Sequence, residues 1–257
     1  MKIPFVKYQA TGNDFVLIDN RSGQYSFTVE QIQQICDRRF GVGADGLMLI
    51  EKHALHDFNL VYYNSDGSQS LCGNGSRAAV SMAAALGLEK AKTTFQAFDG
   101  PHEAELLTNG IVRLKMNPVT EVKTLADAQF INTGSPHYIR FVSDVKHFPV
   151  VEEGRKIRYS ENFKPGGTNA NFVETLPDNT ILVRTYERGV EDETFSCGTG
   201  VTAAALAASF KGYHSPINVK VKGGELSVEF KSGQAGTFTD IFLIGPAKMV
   251  FEGTLEL

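Results

Sequence analysis

Cysteine is scarce in this chain: three residues in 257, with no Cys-x-x-Cys pair. That number fits neither a disulfide scaffold nor a thiol–disulfide enzyme, and with no export signal it indicates reduced thiols in the cytoplasm. Positive charge is not in excess. A net charge of −4 and a pI near 5.9 argue against nucleic acid as the main partner, which needs a basic surface. No uninterrupted apolar stretch reaches the roughly 18 residues that a membrane helix needs, and Met-Lys-Ile-Pro-Phe-Val-Lys-Tyr-Gln lacks the apolar core of a signal peptide. The six histidines form no ligand pair at usable spacing, so a zinc site is not expected. There is no Gly-x-x-x-x-Gly-Lys-[Ser/Thr] phosphate loop. The one full Gly-x-Gly-x-x-Gly match, at 41–46, follows a helical pattern and precedes a strand, the reverse of a dinucleotide site.

What the chain does contain is a pair of matched stretches. Ser70-Leu71-Cys72-Gly73-Asn74-Gly75-Ser76-Arg77-Ala78-Ala79 and Phe195-Ser196-Cys197-Gly198-Thr199-Gly200-Val201-Thr202-Ala203-Ala204 both read cysteine, Gly-x-Gly, then an Ala-rich run. Each run ends at a glycine, Gly87 and Gly212, fifteen residues past its cysteine. The composition is that of closely packed helices with left-handed glycine caps. Each cysteine then precedes a helix N-terminus, where the dipole and first-turn N–H groups favour anions and lower a thiol's pKa.

The surrounding sequence repeats as well. Pro4 to Asp19 alternates around Thr11-Gly12-Asn13-Asp14 and predicts a hairpin. Thr28 to Phe40 predicts a helix capped by Thr28, followed by strands at Leu47 to Ile50 and Asp57 to Asn64. Thr93 to Met116 reads as short strands broken at Asp99-Gly100 and Asn109-Gly110. Thr133-Gly134-Ser135-Pro136-His137 answers the first turn, Gly167-Thr168-Asn169-Ala170-Asn171 answers Gly41-Val42-Gly43-Ala44-Asp45, and Thr180 to Glu187 answers Asp57 to Asn64. Order and spacing hold throughout, which implies two similar α+β domains with a shared cleft. The junction is expected near Asn117-Pro118.

Single residues allow plainer readings. Cys36 lies on an apolar helix face and reads as core. Either remaining cysteine alone fits a small packing residue, and Asn13, Asn64, Asn74 and Asn169 fit turn formers. Glu187-Arg188 fits a solvated pair or an amine acceptor beside a carboxylate clamp, and His137 fits a surface imidazole. The matched surroundings of Cys72 and Cys197 favour function. Inverting a carbon centre calls for one group to remove a proton and another to deliver one on the opposite face. A thiolate and a thiol suit that exchange, and first-turn amides of Gly73, Asn74, Gly198 and Thr199 suit an adjacent carboxylate and its enediolate.

These residues resemble the diaminopimelate epimerase family, cofactor-independent amino-acid epimerases. The resemblance runs nearly end to end: TGNDFVLID at 11–19, GVGADG at 41–46, YNSDGS at 63–68, CGNGSRA at 72–78, GSPH at 134–137, TNANFVE at 168–174, YERG at 186–189 and SCGTG at 196–200. It implies interconversion of LL- and meso-2,6-diaminoheptanedioate for lysine and peptidoglycan precursors, with no cofactor or metal. It further implies two pseudo-symmetric domains, each a β-barrel-like sheet around a central helix, with the active site in the cleft between them. The expected boundaries are 1–117 with a returning strand at 246–257, and 118–245. By matching position, Cys72 and Cys197 are the acid/base thiols, with Cys197 the acceptor and Cys72 the donor in the LL-to-meso direction. The same matching has His137 supporting catalysis, Glu187 contacting the amine, and Asn13, Asn64, Asn169 and Arg188 holding the rest of the substrate. A homodimer with Phe251 near its interface is also implied. Two places depart from the family pattern: Ser135 stands where GNPH has asparagine, and ERGVEDET is one residue longer than the usual ERGxGET. A proline- or hydroxyproline-type racemase of the same fold and a non-catalytic binding module are the alternatives.

Overall fold

A computed structural model describes residues 2–88, 90 and 92–257, and they divide into two compact units. The first is Met1–Leu114 with Gly245–Leu257, the second Lys115–Ile244.

In the first unit, β1 (Lys2–Ala10) and β2 (Asn13–Asp19) form the expected hairpin. Its two turn residues, Thr11 and Gly12, have φ of 48° and 85°, the left-handed pair of a tight type I′ connection. Helix α1 (Val29–Cys36) opens with a capping box between Thr28 and Gln31. It stops short of the predicted Phe40 because Asp37 turns extended and its carboxylate accepts from the N–H groups of Arg39 and Phe40, both at 2.7 Å. Then come β3 (Gly46–Glu51), β4 (Phe58–Asn64), helix α2 (Gly73–Ala85), β5 (Thr93–Ala97), β6 (Gly100–Leu106) and β7 (Ile111–Lys115). Strands β2 and β3 run parallel, Phe15 opposite Gly46, as do β4 and β5; the other neighbours are antiparallel. The C-terminal strand Lys248–Glu256 pairs antiparallel with β1. Just before it, the Ala247 N–H donates to Gly110 C=O ahead of β7, so the strand series closes on itself.

The second unit repeats that plan. Its elements are β8 (Val122–Thr124), β9 (Gln129–Asn132), β10 (Pro136–Phe141), α3 (Val150–Arg158), β11 (Asn169–Leu176), β12 (Thr180–Glu187), β13 (Asp192–Thr194), α4 (Gly198–Ser209), β14 (Ile217–Val221), β15 (Gly224–Ser232) and β16 (Phe238–Pro246). Strands β10 and β11 are parallel with His137 opposite Asn169, as are β12 and β14. A bridge between Val119 and Phe238 joins the two ends of this series.

Helices α2 and α4 run through the middle of their strand sets, α2 against β1, β2, β3, β4 and β6, and α4 against β9, β10, β11, β12, β14 and β15. An enclosed helix has no solvent face, so small side chains replace an amphipathic stripe. Every residue from Gly200 to Ala208 is buried. Gly87 (φ 76°) and Gly212 (φ 88°) end the two helices in left-handed turns, with Leu88 N–H donating to Ala83 C=O and Tyr213 N–H to Ala208 C=O.

Candidate active site

Cys72 and Cys197 occupy the same place in their repeats. Each is the residue that caps its central helix, in extended conformation (φ −128°, ψ 112° and φ −117°, ψ 108°). The first-turn N–H groups of Gly73, Asn74, Gly198 and Thr199 are those an α-helix cannot satisfy internally. Neither Gly-x-Gly tolerates a larger residue without movement. A Cβ on Gly75 would meet Met48 Cε at 2.3 Å, and one on Gly200 would meet Asn171 Oδ1 at 2.5 Å and His137 Cε1 at 3.3 Å.

Around Cys72 the polar network is pinned from outside. Asn13 Nδ2 donates to the Asp45 carboxylate, which leaves Asn13 Oδ1 as an acceptor facing inward. It accepts from Cys72 Sγ at 3.5 Å and from Asn74 Nδ2 at 3.2 Å. The Gly75 N–H donates to Cys72 Sγ at 3.4 Å. Asp45 is held in turn by Arg38, which also pairs with Asp14, and Asp14 pairs with buried Lys7. Beneath them lies Arg77, wholly buried, donating to Asn74 Oδ1 at 2.9 Å and Thr11 Oγ1 at 3.2 Å.

Around Cys197 the hydrogen-bonded side chains are His137, Thr199, Asn171 and Thr185. His137 is fully buried, and burial pushes its imidazole down to about 3, so it is uncharged at physiological pH. Asn171 Nδ2 donates both to Tyr138 C=O (3.0 Å) and to His137 Nδ1 (3.1 Å), while Asn171 Oδ1 accepts from Thr185 Oγ1 at 2.9 Å. With Nδ1 an acceptor, the imidazole proton sits on Nε2 and is donated to Thr199 Oγ1 at 2.9 Å. The Thr199 hydroxyl then has its own proton for Cys197 Sγ, 3.5 Å away. Hydrogen bonds donated to sulfur favour the thiolate. The contrast is Cys36, buried in the first unit's apolar core, where burial pushes the thiol up to about 11.

The remaining expected residues make contacts of their own. Asn169 Nδ2 donates to Ser135 Oγ and to Pro136 C=O, both at 2.9 Å, and its Oδ1 accepts from the Arg188 N–H at 2.9 Å, so Ser135, Asn169 and Arg188 form one group. Glu187 ends β12 and pairs with Asp192 of β13. The lengthened loop between them is fastened by Glu191 at φ 60°. Its carboxylate accepts from Tyr159 at 2.8 Å, Arg158 at 3.1 Å, Tyr186 at 3.2 Å and the Gly189 N–H at 3.1 Å. Asn64 is tied to Ser68 and Ser70 in the loop ahead of Cys72. Phe251, 45% exposed on the C-terminal strand, packs edge-on against Phe5. Arg77, Asp45, Asn171, Thr185 and Glu191 had no assigned role in the sequence reading. Arg77 carries a signal, as the only charged residue in the Ala-rich helix, whereas Thr185 is one polar residue among several in its strand.

Among the described residues no cluster of three or more His, Cys, Asp or Glu side chains is placed to hold a metal ion. No helix among them is long and apolar enough to cross a membrane.

The profile of the family described as diaminopimelate epimerase matches residues 5–122 and 129–250. A diaminopimelate epimerase of Flavobacterium psychrophilum is 50% identical over 253 residues, spanning 97% of this chain and 98% of its own. One of Chlorobaculum tepidum is 42% identical over 257 residues, spanning 96% and 98%. Among solved structures, a PhzF-family phenazine biosynthesis protein of Bacillus anthracis has a similar fold, with a TM-score of 0.78, 16% identity and full coverage of both chains. A hydroxyproline epimerase from Agrobacterium vitis has a TM-score of 0.73 at 14% identity, covering 100% of this chain and 93% of its own. At these identities the structural likeness speaks for the fold alone.

Proposed function

The chain belongs to the diaminopimelate epimerase family, and from that premise we propose that it interconverts LL- and meso-2,6-diaminoheptanedioate by moving a proton at one α-carbon. The observation that carries the reading is the pair of cysteines capping two enclosed helices in the same extended conformation. In the LL-to-meso direction the Cys197 thiolate takes the α-proton and becomes a thiol. Cys72 gives its own proton to the opposite face of that carbon and is left as a thiolate. The reverse reaction exchanges the roles, so atoms and charge balance without a cofactor. The first-turn amides at Gly73-Asn74 and Gly198-Thr199 stabilise the carboxylate as it gains enediolate character.

His137 is too strongly held in the neutral form to act as a charged acid, and its part is to orient the Thr199 hydroxyl. Glu187 accepts from the substrate amine. Asn13, Asn64, Asn169, Ser135 and Arg188 hold the remaining polar groups, Asn13 through the same oxygen that meets Cys72. The proposed setting is the cytoplasm, in keeping with three cysteines that are all free thiols. The proposed assembly is a homodimer through the C-terminal strand, where Met249, Val250 and Phe251 are 51%, 56% and 45% exposed.

Incubating LL-diaminopimelate with the protein in deuterated water tests the activity: deuterium should enter at carbon 2 as the meso isomer forms. Cys72→Ala and Cys197→Ala should each abolish epimerisation in a folded chain. Near-normal turnover by either variant contradicts the two-thiol mechanism.

A further inference from the structure

Arg77 is the only charged residue of α2 and is completely buried. Every acceptor it reaches is a neutral oxygen: Asn74 Oδ1, Thr11 Oγ1 and, at 3.4 Å, Gly73 C=O. Its Nε has no hydrogen-bond partner among the described residues. Among the described residues no carboxylate lies within ion-pair distance of it. The charged groups on the elements packed against α2 are committed elsewhere: on β1 and β2, Lys7 and Asp14 with Arg38 and Asp45, Lys2 with Glu256 and Asp19 with Arg21; on β3, Glu51 with Asn20 and Asn59; on β6, Glu103 with Lys92 and Glu105 with Arg113. A buried cation without a counter-ion is costly by several kcal/mol, so an anion that forms nearby during function accounts for its retention.

That anion is the Cys72 thiolate. The thiol donates to Asn13 Oδ1, and Asn13 cannot turn over because its amide nitrogen is bonded to Asp45. Ionising Cys72 forfeits that bond, a loss that the Gly75 N–H at 3.4 Å and a nearby positive charge offset together. Burial pulls Arg77 down to about 10, still a cation at neutral pH, and Cys72 is the ionisable group whose charge acts back on it. The second repeat has no cation at the matching position. Five residues past Cys197 stands Thr202, whose hydroxyl donates to Gly198 C=O at 3.0 Å, and the sulfur there meets the Thr199 hydroxyl instead.

We infer that Arg77 is the resident counter-charge of the Cys72 thiolate, a positioning residue that acts on the reaction only through that sulfur. In the second repeat the Thr199 hydroxyl, a neutral donor, meets the sulfur. The inference rests on the two-thiol reading above, but its test needs no turnover.

In a Cys36→Ala/Cys197→Ala chain, the only thiol is Cys72, and its alkylation rate by iodoacetamide between pH 5 and 10 reads its ionisation. Arg77→Met should move that midpoint up by about one pH unit or more, the size of an opposite-charge effect, and Arg77→Lys should restore most of it. In the matching Cys36→Ala/Cys72→Ala chain, Arg77→Met should leave the Cys197 midpoint in place. An unmoved Cys72 midpoint in folded Arg77→Met, or equal shifts at both thiols, overturns the assignment. If the methionine variant fails to fold, the guanidinium carbon resonance of Arg77 in the otherwise unaltered chain serves instead. It should shift with pH at the Cys72 midpoint and lose that step in Cys72→Ser; a resonance indifferent to Cys72 overturns the proposal. Failure of the deuterium experiment with a normal Arg77 effect would count against the epimerase reading and leave the counter-charge standing.

Discussion

His137 Nε2 lies 2.9 Å from Thr199 Oγ1, and Asn171 makes that contact run in one direction. Because Asn171 Nδ2 also donates to the Tyr138 carbonyl, the amide has a single orientation, and the imidazole can only accept at Nδ1 and donate at Nε2. The Thr199 hydroxyl is thereby aimed at Cys197 rather than away from it.

Thr199→Val keeps the shape of the side chain and removes the hydroxyl. A hydrogen bond to a charged acceptor contributes about 1.5–3 kcal/mol, so the variant should lose roughly ten- to a hundredfold in kcat with its fold unchanged. Thr199→Ser should retain most activity. Steady-state kinetics with circular dichroism as the control measure this, and full activity in the valine variant would remove the hydroxyl from the mechanism.

His137 also predicts a pH dependence of stability. Its folded pKa, about 3, lies below the unfolded value near 6.5, so between them the unfolded chain binds more protons. The contribution is complete above about pH 6.5, falls as the solution is acidified, and is gone once pH drops below the folded value. By pH 4 the loss from this group alone should be roughly 3 kcal/mol. Urea unfolding of His137→Gln from pH 7 to 4 should show a flatter decline than the parent chain. An identical slope would mean that the imidazole titrates near its ordinary value.

The glycines of the two Gly-x-Gly motifs should not be equivalent. A methyl on Gly75 meets the far end of Met48, which can bend aside, whereas on Gly200 it meets Asn171, held by hydrogen bonds to His137, Tyr138 and Thr185. Overpacking of this kind costs about 1–3 kcal/mol. Gly200→Ala should fall toward the upper end and lose activity as His137 shifts, while Gly75→Ala should remain folded and more active. Thermal melts and turnover of the two variants decide the order.

The repeat, the hairpin, both central helices and the capping place of the two cysteines were legible because each rests on local pattern: alternation, turn glycines, small-residue runs with glycine caps. The early stop of α1 at Cys36 was not, since apolar spacing continues to Phe40 while Asp37 offers its own carboxylate to the next N–H groups. The supporting residues were hidden for another reason. Asn171 meets His137, and Thr185 meets Asn171, only because β10, β11 and β12 lie side by side in one register, a parallel pairing followed by an antiparallel one. Asp45 reaches Asn13 in the same way, through parallel β2 and β3. Sequence alone gives no distance between such residues.

Glu191 explains how the loop that departs from the family pattern is held. At φ 60° a glutamate is strained by about 1–3 kcal/mol, and its four hydrogen bonds to Tyr159, Arg158, Tyr186 and the Gly189 N–H offset that strain. The same loop begins at Arg188, whose N–H is bonded to Asn169. Glu191→Gly removes the strain and the anchor together; Glu191→Ala removes only the anchor. The alanine variant should therefore be the less stable of the two. Both should raise KM by a few-fold, roughly 1 kcal/mol of lost substrate positioning, with a smaller change in kcat, because the proton-transfer thiols are untouched. Kinetics of both variants with protease nicking at 188–192 provide the check. A fall in kcat at constant KM would mean that the loop serves the chemical step rather than holding the substrate.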